Sequence, residues 1–245
     1  MLIAVEGIDG AGKYTQANLL AERIAQSQPR DASPVVLHSF PDYRHSTLGP
    51  KIRHYLKGGL GKLHDNSPML VALLFALERF EKRESIESAL GAGQTIVCDR
   101  YTPSNLAHQA AKYYDGTVDI ASDWMRVLWD IATVEYCVLG MPTPDLVIYL
   151  DLTAEQSKAR TAARDNSSDL HQDDLVYLSN TRAVYQYLTS ASSTWHTVAC
   201  FNDDGTPRTI DQIHDEIFNI YTAAESSIFG SGANISPPQP VTNKE

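Results

Sequence analysis

Residues 1–16 read MLIAVEGIDGAGKYTQ, and this stretch decides the fold. Residues 2–5 are an apolar run that predicts a buried strand, and a glycine-rich turn follows from Gly7 to Lys13. A helical pattern comes next, with one apolar face made by Ala17, Leu20, Ala21 and Ile24. A strand, a glycine loop, a lysine and a helix in this order are typical of a phosphate-binding loop. Backbone N–H groups, the helix N-terminus and the lysine ammonium attract phosphate oxygens there, so we expect a bound nucleotide phosphate.

The residue after Lys13 departs from this pattern. It is usually Ser or Thr, whose hydroxyl binds Mg²⁺, but here it is Tyr14, with Thr15 next. A phenol oxygen lies too far from the backbone to replace a short hydroxyl. Either Thr15 or a carboxylate then holds the metal, with Asp9 and Asp99 as the nearest candidates, or metal binding is altered. Alternatively, Tyr14 simply packs beside the nucleotide.

Composition limits the possible partners and compartment. The 245 residues suffice for one sizeable α/β domain. A formal charge of −10 argues against a broad nucleic-acid-binding surface, although a few arginines can still converge on a small anionic substrate. The cysteines Cys98, Cys137 and Cys200 are predicted to be buried free thiols, which suits the cytoplasm. We expect no signal peptide and no membrane span, since no apolar run approaches about 18 residues.

Strand-like and helical patterns alternate along the chain. The strand-like runs are residues 2–5, 34–38, 94–98, 146–150 and 196–200. This alternation predicts an α/β fold with a five-stranded parallel sheet flanked by helices. The domain is expected to span residues 1–224, and the Ser-, Gly- and Pro-rich segment 225–245 is predicted to be a disordered tail.

Two long helices are predicted. In residues 65–89 the leucines Leu70, Leu73, Leu74 and Leu77 share one face, taken as the core face. Phe75 and Arg79 are four residues apart and lie opposite this face, where they could hold a planar base; alternatively, Phe75 packs under another element and Arg79 is solvated.

The second predicted helix, residues 119–138, is apolar on two sides. One side has Trp124, Leu128, Ile131 and Val138, and the other has Met125, Trp129, Ala132 and Tyr136. Both apolar sides of such a helix must be buried, one against the sheet and the other against a second element. We therefore expect a homodimer with this helix in the interface; the alternative is an interior helix of a monomer.

A second polar group follows the strand at residues 95–98. Asp99 and Arg100 come directly after it, and ligands bind at the carboxyl ends of parallel strands. Asp99 is placed to orient Mg²⁺ or a phosphate-binding group, and Arg100 to clamp a phosphate with its planar fork. The alternative is a purely structural Asp–Arg pair.

Several motifs together resemble the thymidylate kinase family. In chain order they are Gly7-x-Asp9-Gly10-x-Gly12-Lys13, Phe40-Pro41-x-Tyr43, Leu74-Phe75-Ala76-Leu77-x-Arg79, Asp99-Arg100-Tyr101-x-x-Ser104-Asn105 and Pro144-Asp145-Leu146. The resemblance implies a P-loop nucleoside-monophosphate-kinase fold and transfer of the ATP γ-phosphate to dTMP, giving dTDP for dTTP synthesis. It also implies a Mg²⁺ requirement and a homodimer.

The resemblance assigns roles to individual residues. Those expected to bind ATP are Gly7, Gly10, Ala11, Gly12, Lys13, Tyr14 and Thr15. Those expected at the dTMP site are Asp9, Phe40, Tyr43, Phe75, Arg79, Arg100, Ser104, Asn105, His108 and Asp174. Within this set Phe75 would stack on thymine, Arg79 would donate to its carbonyl oxygen and to the phosphate side of the site, and Arg100 would bind the acceptor phosphate. His108 stands near the sugar 2′ position, where the family commonly has Tyr, so discrimination against ribose is expected to be weaker or achieved differently.

A lid is expected at about residues 158–170. The phosphate-binding loop carries Ala11 where some family members have an arginine, so the lid should supply one. Arg160 and Arg164 are the candidates, and Arg164 is favoured because the mobile segment would begin after it. Such an arginine would stabilise charge in the transition state.

The sequence leaves rival functions open. Another nucleotide or deoxynucleoside kinase would keep the phosphate-binding loop but change the base pocket, and Phe75, Arg79, Ser104 and Asn105 favour thymine. A GTP-dependent switch would need an Asn-Lys-x-Asp motif, and the chain has Asn-Lys only at Asn243-Lys244, so this alternative is set aside. A catalytically impaired nucleotide-binding module, with its metal site lost at Tyr14, is the third alternative.

Overall fold

The computed structural model describes residues 1–29, 33–162 and 174–229. Five strands form one parallel sheet in the order β2-β3-β1-β4-β5. The strands are β1 Leu2–Glu6, β2 Val36–Ser39, β3 Ile96–Asp99, β4 Leu146–Asp151 and β5 Trp195–Ala199. The helices are α1 Lys13–Ser27, α2 Gly49–Leu56, α3 Pro68–Phe80, α4 Arg83–Gly91, α5 Thr102–Ala110, α6 Asp123–Ala132, α7 Ala154–Ala162, α8 Leu175–Ser190 and α9 Ile210–Phe229. The predicted fold class is confirmed.

Strand β1 is apolar at successive positions because both of its faces are covered. Ile3 and Val5 belong to one core cluster, whereas Leu2 and Ala4 belong to the cluster on the other side of the sheet. This matches the alternation of side chains along a strand. The prediction of buried thiols is correct for Cys98 and Cys200 but wrong for Cys137, which is exposed on a helical turn after α6.

The sheet order brings the candidate site residues together at one edge of the sheet. Strand β1 lies next to β3, with Val5 paired with Asp99, and the Arg100 N–H donates to the Val5 carbonyl at 3.0 Å. The loop after β1 and the Asp99–Arg100 pair after β3 therefore meet at the carboxyl ends of the strands, where open parallel sheets bind ligands.

The single helix predicted over residues 65–89 is wrong, because the chain forms α3 and α4 with a break at residues 81–82. Pro68 begins α3, a position where its missing N–H costs nothing. At the other end Lys82 N–H bonds the Arg79 carbonyl at 2.9 Å, which tightens the last turn, and the Glu81 carboxylate accepts from the Thr47 N–H at 2.8 Å. The helix therefore ends in this tightened turn, next to a glutamate side chain that is held by the backbone of a distant loop.

The leucine face of α3 is also not the core face. Leu70 is 68% exposed and Leu77 is exposed, whereas Ala72, Ala76 and Arg79 are buried. Small residues let α3 approach α5 closely, so Leu70 and Leu77 remain on the outside, whereas Leu73 and Leu74 are half-buried and Leu74 packs against a small core cluster. Helical periodicity identified the apolar stripe correctly, but the expectation that this stripe faces the core was wrong.

The second long helix starts later than predicted and changes its winding. Asp119 accepts from the Ala121 N–H in a turn, and α6 begins at Asp123. Residues Thr133–Val138 form a π-helical turn, closed by the Leu139 N–H on the Val134 carbonyl at 2.9 Å. A π turn holds one extra residue and rotates the chain beyond it. Val138 is therefore exposed rather than in line with Trp124, and Glu135 points inward.

The C-terminal helix extends beyond the predicted domain boundary. Helix α9 runs to Phe229, so residues 225–229 of the predicted tail are helical, and residues 230–245 lie outside the described residues. Among the helices described, none combines the length and apolarity needed to cross a membrane.

Candidate active site

The loop after β1 has the backbone conformation that its glycines allow. Gly7 has a φ of 144°, and a Cβ there would lie 2.6 Å from the Leu150 carbonyl oxygen. Gly12 is left-handed with a φ of 89° and precedes the first turn of α1. Only glycine takes these conformations without strain. The loop therefore presents backbone N–H groups at a helix N-terminus, as an anion site requires.

Lys13 is held inside this loop. Its Nζ donates to the Ile8 carbonyl at 2.8 Å and lies 3.9 Å from the Asp9 Oδ1. Burial lowers the pKa of Lys13 to about 8, because desolvation disfavours the ammonium, and nearby Arg100 adds to this effect. A bound phosphate would add negative charge beside Lys13 and so stabilise its ammonium form.

Arg100 joins the loop to the neighbouring strand. Its backbone is left-handed, with a φ of 63°, and its Nη2 donates to the Asp9 Oδ1 in a short ion pair. Its Nη1 lies 3.3 Å from the Gly7 carbonyl, 3.3 Å from the Ser104 Oγ and 3.2 Å from the His108 Nε2. A non-glycine residue in this region is uncommon and is often associated with a functional site.

One cavity brings together every residue predicted for the acceptor site except Asp174. Its lining residues are Asp9, Phe40, Pro41, Tyr43, Leu56, Phe75, Arg79, Arg100, Ser104, Asn105, His108 and Gln109. The lining combines aromatic and apolar side chains with two arginines and several polar groups, which suits a flat polar ring attached to an anion.

Arg79 is buried, and its charge is balanced within the protein. Its Nη2 donates to the Glu135 Oε1 in a short ion pair, and the Asn105 Nδ2 donates to the same oxygen at 2.8 Å. The Asn105 Nδ2 is also 2.9 Å from the Ala72 carbonyl. The π turn therefore supplies a carboxylate that fixes two of the predicted base-binding residues.

The predicted base-binding residues of the cavity are accompanied by hydrogen-bond acceptors. Phe75 meets the Tyr55 ring edge-on, with the ring centroids 6.4 Å apart. Asn105 Oδ1 and Gln109 Oε1 are buried and have no hydrogen-bond partner among the described residues. Buried acceptors are costly when unpaired. A ligand N–H aimed at them would remove that cost.

Glu6, at the end of β1, organises the floor of the site. Its carboxylate accepts from the Ser104 Oγ at 2.5 Å, the Tyr101 N–H at 2.8 Å and the Tyr185 hydroxyl at 2.9 Å. Burial raises the pKa of Glu6, whereas these donors act in the opposite direction. The Ser104 hydroxyl thus donates a hydrogen bond to Glu6, and its oxygen accepts one from Arg100.

The metal candidates differ in their surroundings. Asp9 is already paired with Arg100, whereas Asp99 is half-buried, and burial raises its pKa although Lys13 and Arg100 oppose the shift. Tyr14 is 62% exposed and lines an adjoining groove with Asp99, while Thr15 is half-buried. Within the described ranges no group of three or more His, Cys, Asp or Glu side chains is arranged to hold a metal. Of the two carboxylates, Asp99 is the better fit for Mg²⁺ bound mainly through phosphates and water.

The remaining predicted residues lie around this centre. Arg160 on α7 stacks on the Phe201 ring at 4.6 Å, and its Nη1 donates to the Gly10 carbonyl at 3.4 Å. Arg164 lies outside the described residues. Asp174 is at the N-terminus of α8, where its carboxylate accepts from the Tyr177 N–H at 3.0 Å, and it does not line the cavity.

Comparison with known proteins identifies the family. The family model described as thymidylate kinase matches residues 5–217. The chain belongs to the thymidylate kinase family. It is 32% identical to a thymidylate kinase from Mycobacterium tuberculosis (strain ATCC 25618 / H37Rv), over 77% of this chain and 85% of the relative. It is 30% identical to a thymidylate kinase from Caenorhabditis elegans, over 90% of this chain and 89% of the relative.

A solved thymidylate kinase from Candida albicans has a similar fold. The two chains superpose with a TM-score of 0.68 at 25% sequence identity, over 91% of this chain and 92% of the other. The family assignment therefore rests on sequence and on architecture, and the resemblance seen in the motifs is confirmed.

Sequence reasoning missed several residues of this thymidylate kinase site. Gln109 follows Asn105 by four positions on α5, so helical spacing could have found it. Glu6 lies directly before the glycine loop, but its role depends on Ser104 and Tyr185 from distant segments. Glu135 could not have been found, because its inward direction depends on the π turn.

Proposed function

We propose that this enzyme transfers the γ-phosphate of ATP to dTMP, giving dTDP and ADP, as a step in dTTP synthesis. The observation that carries the proposal is the position of Arg100. One of its nitrogens bonds Asp9 of the phosphate-binding loop, and the other faces Ser104 and His108 inside the cavity. A donor phosphate on the loop and an acceptor phosphate at Arg100 would therefore be neighbours.

Donor binding is assigned to the loop and the first turn of α1. The residues are Gly7, Gly10, Ala11, Gly12, Lys13, Tyr14 and Thr15, with Lys13 supplying the positive charge. Arg160 already contacts the Gly10 carbonyl and the Phe201 ring, so it lies beside the donor site. We assign it to the donor phosphates, where a lid arginine can stabilise charge in the transition state.

Acceptor binding uses both ends of the cavity. Phe75 would stack on thymine, Asn105 and Gln109 would accept from the base N–H, and Arg79 would donate to a base carbonyl. Phosphoryl transfer depends mainly on positioning and on charge neutralisation. The acceptor is itself an anionic phosphate, so no strong base is needed, and Arg100 and Lys13 would offset the repulsion between two phosphate chains.

A Mg²⁺ requirement is part of the proposal, with Asp99 as the residue that would hold the ion, directly or through water. Bound there, the ion would neutralise charge on the ATP phosphates. Tyr14 cannot serve as the usual hydroxyl ligand because its side chain is directed into solvent. Asp9 would instead keep Arg100 in place.

The lid over residues 158–170 also belongs to the proposal. Arg160 and Arg164 remain the candidates for stabilising transition-state charge, and only the first lies among the described residues. Arg164→Ala should lower kcat more than acceptor affinity, and a pure effect on KM would remove Arg164 from that role.

We further propose a homodimer in the cytoplasm. Helices α3 and α6 are in contact, and exposed apolar side chains lie on α3 (Leu70 and Leu77), on α6 (Trp129) and at the end of the π turn (Val138). Exposed apolar side chains on neighbouring elements favour a protein partner, here a second copy of the chain. The cytoplasmic placement is supported by the free thiols.

The decisive experiment is a substrate screen with the purified protein, Mg²⁺ and ATP. The acceptors are dTMP, dUMP, dCMP, dGMP and UMP, and product is measured as ADP release and by chromatography. We expect turnover with dTMP above all others. Turnover of another acceptor only would identify a different nucleotide kinase, and nucleotide binding without dTDP formation would support the impaired module.

A further inference from the structure

His108 is buried between the phosphate end of the cavity and helix α8. It is 6% exposed, and its ring packs edge-on against Tyr185 and tilted against Tyr177. Its Nε2 lies 3.2 Å from the Arg100 Nη1, and its Nδ1 lies 2.9 Å from the Tyr177 hydroxyl. Both ring nitrogens are thus engaged, and the ring plane is fixed by packing.

The donor and acceptor roles in this chain follow from chemistry. A guanidinium can only donate, so the His108 Nε2 must accept and carries no proton. The proton of the neutral ring is then on Nδ1, which donates to the Tyr177 oxygen. The Tyr177 hydroxyl in turn donates to the His108 carbonyl at 3.0 Å. Tyr177 therefore selects the His108 tautomer whose Nε2 can accept a hydrogen bond from Arg100.

The contacts of Arg100 show what this hydrogen bond achieves. Its Nη1 faces Gly7, Ser104 and His108, and one Nη2 hydrogen goes to Asp9. Within the described part of the chain, the Nε–H and the second Nη2 hydrogen are not given to a protein acceptor. The Nε–H and the Nη2 group form the edge of the guanidinium away from Nη1, and this edge can bind a phosphate through two parallel hydrogen bonds.

We propose that His108 is a positioning residue for the acceptor phosphate, which acts through Arg100. Its Nε2 holds the Nη1 side of the guanidinium, so that the opposite edge faces the phosphate. This inference rests on the proposed function and names a different task from the expected contact with the sugar 2′ position.

Two substitutions separate the ring nitrogens. The amide of His108→Asn lies near the position of Nδ1 and loses the acceptor for Arg100. The longer His108→Gln places an amide oxygen near the position of Nε2 and can restore that acceptor. Binding of dTMP and of thymidine, which has no phosphate, is measured by calorimetry for each variant.

We expect His108→Asn to weaken dTMP binding about tenfold or more, the size of losing a hydrogen bond to a charged group. Thymidine binding should be unchanged, and His108→Gln should recover most of the loss. In an Arg100→Met background, His108→Asn should have no further effect on dTMP. Tyr177→Phe gives a second route, since it removes the partner that selects the tautomer, and it should also weaken dTMP more than thymidine.

Equal losses for dTMP and thymidine in His108→Asn would assign His108 to the sugar and overturn the proposal, as would wild-type affinity for dTMP. His196→Asn on β5, outside the cavity, is the control for a histidine change as such. Thermal unfolding shows whether each variant is folded, and Tyr177→Phe carries the test if His108→Asn is not. Failure of the wild-type protein to bind dTMP would instead reject the proposed function, so the two failures are distinguishable.

Discussion

Lys13 is a buried ammonium whose charge depends on the ligand. Its pKa is about 8 in the free protein because burial disfavours the charged form. Bound phosphates stabilise the ammonium and raise its pKa, so binding takes up a proton when the pH is above about 8. We expect ATP affinity to be highest below pH 8 and to fall as the pH rises through that value.

Calorimetry in buffers of different ionisation enthalpy measures this proton uptake directly. Lys13→Arg is the control, because a guanidinium stays protonated over this range and should remove the pH dependence. An unchanged pH dependence in Lys13→Arg would assign the proton to another group.

Arg79 links the base end of the cavity to a fully buried carboxylate. Arg79→Ala should raise the KM for dTMP strongly, because it removes a donor to the base and phosphate region. It should also lower the free energy of unfolding by about 3–5 kcal/mol, since Glu135 is left buried without its partner. Urea denaturation and steady-state kinetics measure the two effects separately.

The double variant Arg79→Met/Glu135→Leu is the matched control for stability. Replacing a buried ion pair by apolar residues is often neutral or stabilising, so the double variant should be more stable than Arg79→Ala while its KM for dTMP stays high. A double variant as unstable as the single one would show that the buried charge is not the cause.

Asp174 is the N-cap residue of helix α8, and this role explains it without a ligand. Its carboxylate satisfies the Tyr177 N–H, one of the donors left open at a helix N-terminus. Asp174→Ala should therefore cost about 0.5–2 kcal/mol of stability, with little change in the KM for dTMP. Asp174→Asn keeps an acceptor and should stay near wild type in thermal unfolding. A large KM effect in both variants would return Asp174 to the substrate site.

The strands and the glycine loop could be predicted because their signals are local. A strand covered on both faces is apolar throughout, as in residues 2–5, and the loop glycines are required by backbone geometry at their own positions. Helix α3 shows the limit of such signals. Periodicity showed that Leu70 and Leu77 share a stripe, but not that Ala72 and Ala76 face the core instead.

The site residues could be predicted where a sequence motif determined both the residue and the direction of its side chain. Residues of the loop, of α3 and of α5 meet in one cavity, although their individual roles stay predictions. Glu135 and Tyr177 were not predictable, because each acts through a partner more than fifty positions away in sequence. The extra residue in the π turn that directs Glu135 inward has no recognisable sequence signature.

The proposed dimer contact through α3 and α6 would link the oligomeric state to acceptor binding. Helix α3 carries Phe75 and Arg79 towards the cavity and exposes Leu77 on its other side. If a second copy covers that side, it also fixes the position of the base-binding residues. Loss of the dimer should then loosen acceptor binding as well as change the mass in solution.

Trp129→Glu and Leu77→Glu test this connection, because a carboxylate in an apolar interface must be desolvated without a partner. We expect both variants to be monomers by light scattering at concentrations where the wild-type protein is a dimer, with a raised KM for dTMP and a smaller change for ATP. Ile210→Glu places the same charge on an exposed apolar residue at the start of α9 and should remain dimeric. A wild-type monomer, or glutamate variants that stay dimeric, would show that the exposed leucines and Trp129 serve another partner. Monomers with unchanged kinetics would show that α3 keeps its position without a second subunit.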